Sequence, residues 1–183
     1  MRLVLIISVC KEKLHELEFV KPVEEILRGA RVKFFTKNYK LVSSTDLKRV
    51  ERVVICGTSL KDNQFLEDMK IFEWIKSFDK PLLGICAGMQ ILGQVFGEKI
   101  ARKEEIGFFM EQFNQDFFGL FGEQEVYHLH GNFVKFGEGW QVFCEGNGIT
   151  QAVKKRGKPF YGVLFHPEVR QKQMILNFIN VEK

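Results

Sequence analysis

The chain has 183 residues, 45% of them apolar and 27% charged, with Lys and Arg exceeding Asp and Glu by four. That is the composition of a folded globular domain large enough to bury a core, which excludes disorder as the main state. The Lys and Arg residues are scattered rather than clustered, so the charge points to no nucleic-acid partner. No apolar run approaches the roughly 20 residues needed to cross a bilayer, which leaves no expected membrane role.

The predicted elements alternate through the first half. Leu3 to Val9 is a continuous Val/Ile/Leu run, as expected of a strand buried on both faces rather than of a signal peptide. Val20 to Leu27 has helical spacing, Arg31 to Phe35 reads as a strand, and Arg52 to Cys56 reads as another, ended by Gly57. Phe65 to Phe78 places Phe65, Leu66, Met69, Phe72 and Ile75 at helical intervals. Pro81 to Ile85 is a fourth strand and Gly88 to Phe96 a helix. The rhythm predicts an α/β fold: a three-layer, open, twisted, mostly parallel sheet flanked by helices. The second half changes character. Gly107 to Phe113, Gln124 to His128, Trp140 to Cys144, Ile149 to Val153 and Phe160 to Phe165 are short strand candidates between Gly-rich turns, expected to add small antiparallel pieces. Val169 to Val181 reads as a closing helix, and residues 1–183 are expected to form one domain.

Two segments carry chemistry. In Gly84-Ile85-Cys86-Ala87-Gly88-Met89-Gln90 an apolar strand runs into a cysteine and then into a helix start with small neighbours. This is the layout of a nucleophile elbow, and a helix N-terminus favours a thiolate. A lone cysteine at a strand end is more often an inert packed thiol, but the flanking glycines and Gln90 weigh against that. In Tyr161 to Glu168 a second apolar strand ends in His166-Pro167-Glu168. An isolated His-Pro-Glu reads more readily as a turn with a solvated His and Glu; together with the elbow, the pattern lets His166 serve as a base for Cys86, with Glu168 orienting its far ring nitrogen. Cys10, Cys56 and Cys144 read as packed thiols; Cys10 and Cys56 fall at strand ends near the same edge, where the alternative is a redox-sensitive partner for Cys86. No C-x-x-C pair occurs, and the residues point to no metal site.

With both motifs in view, the chain resembles the class I, triad-type glutamine amidotransferases. Their G-[IV]-C-x-G-x-Q elbow matches Gly84 to Gln90, and their Y-G-[VT]-Q-F-H-P-E strand end matches Tyr161 to Glu168, with Leu164 in the Gln place. Tyr127 to Asn132 is similar to the W-x-S-H-x-D stretch, and Gly139 to Val142 to the G-F-x-V that follows it. The resemblance implies a flavodoxin-like fold and a cytoplasmic glutaminase. Cys86 would attack the side-chain amide of glutamine, His166 would protonate the leaving ammonia, and Glu168 would orient His166. It also implies an oxyanion site made by the N–H of Ala87 and the Gly57-Thr58 loop, and glutamine held by Gln90 and the Leu129 and His130 backbone. His128 and His130 are expected to be loop residues that shape the site.

Among members, the second half is most similar to amidotransferase subunits of GMP synthetase. That implies a separate ATP pyrophosphatase-type synthetase partner that would carry ATP and Mg, no cofactor on this chain, and ammonia delivered to XMP. Alternatives are a stand-alone γ-glutamyl hydrolase and a non-catalytic docking subunit. One departure stands out: Cys56-Gly57-Thr58-Ser59 replaces the family's S-G-G-P, with a side chain at 58 where the second glycine offers an oxyanion N–H. The crowd of Phe108, Phe109, Phe113, Phe117, Phe118 and Phe121 is expected to form a partner interface.

Overall fold

The computed structural model describes residues 3–181; Met1, Arg2, Glu182 and Lys183, at the ends of the expected 1–183 domain, lie outside them. Strand β1 (Leu3–Ser8) is followed by the short helix α1 (Glu16–Phe19) and by α2 (Lys21–Gly29), which begins with a proline in its first turn, where no N–H is needed. Strand β2 (Lys33–Asn38) leads to α3 (Ser44–Arg49), and β3 (Arg52–Ile55) to the single turn α4 (Gln64–Glu67) and a 3-10 helix over Met69–Ser77. Strand β4 (Leu82–Ile85) turns directly into α5 (Ala87–Val95). The remainder is β5 (Lys99–Phe117), β6 (Leu120–Lys135), β7 (Trp140–Gly146), β8 (Ile149–Lys155), β9 (Phe160–Val163) and α6 (Lys172–Asn180).

One nine-stranded sheet has the order β2-β1-β3-β4-β9-β8-β7-β5-β6. The first five strands in that order are parallel, and β8, β7, β5 and β6 continue the sheet antiparallel. Apolar strand segments with helices on both faces produce the parallel part: Leu5, Ile7, Val53, Ile55 and Leu82 feed one core, while Val4, Ile6, Val54, Leu83 and Ile85 feed the other. Each such side chain contributes roughly 1.5–3 kcal/mol by leaving water. Arg52 is the polar exception in this layer. It is buried and reaches the carbonyls of Phe178 and Val181 at the end of α6, tying the last helix to β3.

The structure revises several expected elements. The segment over 65–78 is one α-turn followed by a 3-10 helix, with Phe72 and Ile75, three apart, both buried. Side chains three apart eclipse in a 3-10 helix, so the apolar spacing suits either form. The pieces at 107–113 and 124–128 belong to strands of 19 and 16 residues that pair as one long hairpin, so the antiparallel part is larger than a small addition. Of the expected phenylalanine interface, Phe113 and Phe117 are core residues, and Phe109 packs edge-on against His128. Only Phe108 and Phe121 of the six are exposed. Among the described residues no helix is long and apolar enough to cross a membrane.

Candidate active site

The site lies where β4 and β9 end side by side and β6 passes over them. Cys86 has φ 49° and ψ −102°, a conformation that non-glycine residues avoid, between the last residue of β4 and the first of α5. Its N–H donates to the Val163 carbonyl at 2.7 Å, and its carbonyl accepts from the Gln90 N–H at 3.1 Å, so both neighbouring elements hold the strained residue. The flanking glycines are required by close approach. A Cβ on Gly84 would stand 2.4 Å from the Gly88 carbonyl carbon, and one on Gly88 would stand 2.4 Å from the Ile55 carbonyl oxygen. These residues together make a sharp strand-to-helix turn with the thiol at its apex.

His166 follows β9 and is anchored by its backbone N–H, which donates to the Tyr127 carbonyl at 2.8 Å. Its ring is buried beside Phe19 at 5.5 Å and Tyr127 at 6.4 Å between centroids. Nδ1 donates to Glu168 Oε1 at 2.7 Å, a short charge-assisted contact inside the protein. Nε2 has no hydrogen-bond partner of good geometry, and the Cys86 sulfur beside it interacts with the ring electrostatically. Burial alone would lower the histidine's proton affinity. The Glu168 carboxylate and the Cys86 sulfur outweigh it and hold His166 well above the ordinary imidazole range. The Cys86 thiol leans toward the Leu129 carbonyl at 3.7 Å.

The other cysteines sit in different surroundings. All four are free and buried. Burial pushes the Cys10 thiol up, pushes Cys56 far up, and with the nearby Glu111 carboxylate raises Cys144 to about 12. Cys10 leans on the Gly57 carbonyl at 3.8 Å. All three therefore stay protonated at neutral pH, as packed thiols do.

The loop after β3 closes over the thiol. A Cβ on Gly57 would come 2.7 Å from His166 Cε1 and 3.3 Å from Cys86 Cβ, so position 57 is glycine because the two side chains occupy its space. Thr58 adopts no positive φ, and its hydroxyl donates to Asp62 Oδ2 at 2.7 Å, which also accepts from the Lys11 N–H at 2.8 Å. The side chain at 58 thus fixes the loop rather than distorting it. Gln90 is buried, with Nε2 donating to the Asn132 carbonyl at 3.1 Å and Oε1 unpartnered. The Asn132 side chain in turn donates to Asn63 Oδ1 at 2.9 Å, joining β6 to the loop across the mouth. Cys86, Ala87, Gln90, Thr58, Leu129 and His130 line the cavity beneath, whose volume is about 20 Å³. That is room for about one water.

Every expected site residue is therefore at this junction, with one correction. His128 and His130 are not loop residues: both lie within β6 and are buried in a cluster with Glu105 and Glu111. Burial, and then neighbouring His128, bring the His130 proton affinity down to about 4. Asp62 and Asn63 lie at this junction although the motifs did not single them out, and Asn132 ends the stretch matched to W-x-S-H-x-D. An Asp four positions after Thr58 in a loop ending at a short helix was the available signal, since such side chains cap and brace turns.

Comparison with known proteins agrees with this architecture. Residues 22–181 match the family model described as glutamine amidotransferase class-I. The chain is 28% identical over 153 residues to the GMP synthase of Staphylococcus saprophyticus, covering 75% of this chain and 29% of that protein. It is 36% identical over 129 residues to the Bacillus subtilis GMP synthase, covering 64% and 24%. It is also 29% identical over 156 residues to an imidazole glycerol phosphate synthase subunit HisH of Vibrio vulnificus, covering 68% and 76%. The chain thus spans under a third of the length of the GMP synthases it matches. Among solved structures, a Thermoplasma acidophilum protein described as one subunit of a GMP synthase superimposes with a TM-score of 0.86 at 20% identity, over 98% of this chain and 92% of that one. A glutamine amidotransferase from Thermotoga maritima gives 0.74 at 23% identity, over 97% and 80%. With the family model matched across most of its length, the chain belongs to the class-I glutamine amidotransferases.

Proposed function

We propose that this chain hydrolyses glutamine to glutamate and ammonia through Cys86, His166 and Glu168, and hands the ammonia to a separate cytoplasmic synthetase. Cys86 as thiolate attacks the side-chain amide carbon of glutamine. The resulting oxyanion is met by the Ala87 N–H and an N–H of the Gly57-Thr58 loop, each such donor contributing roughly 3–4 kcal/mol in enzymes where one has been removed. His166, protonated through its pairing with Glu168, gives its proton to the leaving nitrogen, and a glutamyl thioester remains on Cys86. His166 then takes a proton from water as it attacks the thioester, releasing glutamate. Gln90, with its free Oε1, and the backbone at Leu129 and His130 hold the substrate.

The observation that carries this reading is the strained Cys86 next to a buried His166 that is bonded to Glu168 at 2.7 Å. The small cavity supports dependence on a partner: as it stands it has room for about one water, with the Asn132–Asn63 hydrogen bond spanning its rim. The GMP synthase relatives support XMP as the ammonia acceptor, with ATP and Mg held by an ATP pyrophosphatase-type partner. The test is glutamine-dependent amination of XMP by this chain together with such a synthetase. Activity with glutamine that disappears in Cys86→Ala, while activity with ammonium salts persists, is the expected result. Amination of XMP with ammonium but never with glutamine would remove this acceptor. Steady glutamate release that the partner does not change would favour the stand-alone hydrolase.

A further inference from the structure

Beside the proposed catalytic junction lies a buried cluster of polar side chains that the glutaminase chemistry does not use, although His130 also lines the catalytic cavity. Glu105, Glu111, His128, His130 and Gln151 are each between 0% and 4% exposed. Among the described residues, neither carboxylate has a Lys or Arg within ion-pair distance; the ion-pair partners of both are histidines. Two carboxylates without a cation are costly to keep in an apolar interior.

The hydrogen bonds sharpen the problem. His128 Nε2 contacts Glu111 Oε1 at 3.2 Å, and with the carboxyl ionised the ring supplies the hydrogen. In the neutral ring this leaves Nδ1 as a bare lone pair, and Nδ1 faces Glu105 Oε2 at 4.0 Å, acceptor toward acceptor. His130 Nε2 approaches the same oxygen at 3.1 Å, and Gln151 Nε2 donates to it at 3.0 Å. Glu105 Oε1, His128 Nδ1, His130 Nδ1 and Gln151 Oε1 have no hydrogen-bond partner. One donor atom each from Glu105, His128 and His130 lies within 4.8 Å of the other two.

We propose that Glu105, His128 and His130 bind a divalent transition-metal ion of the zinc class. Two imidazole nitrogens and a carboxylate oxygen are a common zinc donor set, and tetrahedral bonds of about 2.0–2.1 Å place donor atoms about 3.3–3.5 Å apart. The separations from Glu105 Oε2 to the two rings, 3.1 and 4.0 Å, bracket that value, and the two ring nitrogens lie within 4.8 Å of each other. The contact from His128 Nε2 to Glu111 is the carboxylate–histidine–metal arrangement that fixes a ligand's tautomer. The ion would neutralise both carboxylates and tie β5 and β8 to β6, the strand whose Leu129 carbonyl faces Cys86. With no opening to the surface, it would be taken up as the chain folds.

The test uses the full chain carrying Cys86→Ala, which removes the catalytic thiol as a competing ligand and makes the readout independent of glutaminase activity. Refolding in the presence of Zn²⁺, then dialysis, should leave one zinc per chain by elemental analysis. Refolding with Co²⁺ should give the visible bands of four-coordinate cobalt. Adding His128→Asn or Glu105→Gln should abolish both signals. Glu111→Gln, conservative enough to keep the fold, should weaken binding about 10- to 100-fold. A natively folded chain by circular dichroism that retains no zinc and shows no cobalt bands would overturn the proposal, as would unchanged affinity in Glu111→Gln.

Discussion

On the parallel side of the sheet, β1, β4 and β9 carry apolar residues and glycines, plus Ser8 and Tyr161, and almost every position is buried. On the antiparallel side, β5 and β6 alternate exposed and buried residues, and the buried set includes two glutamates and two histidines. The first region is held by buried apolar packing, and it is there that the strained cysteine is held. The second is held by polar pairing, and it supplies the strand that shields the thiol and closes the mouth. The candidate site needs both: Cys86 and His166 come from the ends of parallel strands, while Tyr127, Leu129 and Asn132 come from β6.

The largest effect that tests this division is on the parallel side. Glu168→Gln should keep the fold and lower glutamine-dependent turnover by about 10²–10⁴-fold, because His166 loses the charge that keeps it protonated and oriented. A loss under tenfold, measured as glutamate released with the synthetase present, would remove Glu168 from the catalytic unit. Next in size, Gly88→Ala should destabilise the chain by about 1–3 kcal/mol or more in urea unfolding, since its Cβ would meet backbone that cannot give way. Gly107→Ala, on the antiparallel side at φ 114° with open space around it, tests torsional strain alone. It should cost less than Gly88→Ala, and an equal cost would contradict the packing difference.

The pH dependence follows from His166. Its folded-state proton affinity lies above the unfolded value of about 6.5, so its contribution to stability is fully present below that pH. The contribution is lost as pH rises through the higher folded value. Unfolding free energies measured from pH 6 upward should therefore fall in the native chain and fall less in Glu168→Gln; parallel curves would contradict the pairing. The smallest effect belongs to the antiparallel side. Asn63→Ala removes one hydrogen bond across the mouth, worth about 1 kcal/mol, and should lower KM for glutamine by up to about fivefold. A raised KM would instead make Asn63 a substrate contact.

The same contrast explains what the sequence made legible. The elbow could be read because its causes are local: a strand, a turn that needs small neighbours and a helix start lie within seven residues, Gly84 to Gln90. The strand over Phe160 to Val163 and the His-Pro-Glu that follows it could be read for the same reason. Helix α3 also had a local signal, since Ser43 and Asp46 form a capping box, but its six residues carry too little apolar periodicity to stand out. The Glu105–His130 pairing had no local signal. It depends on the register of a hairpin that shifts between Arg102 and Glu105, and a one-residue slip would turn those side chains to the other face. For the same reason His128 and His130 read as loop residues: the run Tyr127-His128-Leu129-His130-Gly131 alternates, but with polar residues on the buried face.

The central claim is that Cys86, alone among four buried cysteines, is the nucleophile. The most direct test is to mix the chain and its synthetase with glutamine, quench in acid during the first turnover, and map the glutamyl adduct by peptide mass spectrometry. The expected result is a glutamyl thioester on Cys86, absent in Cys86→Ala, with Cys10, Cys56 and Cys144 unmodified. An adduct on any of those three, or undiminished glutamate release by Cys86→Ala, would contradict it.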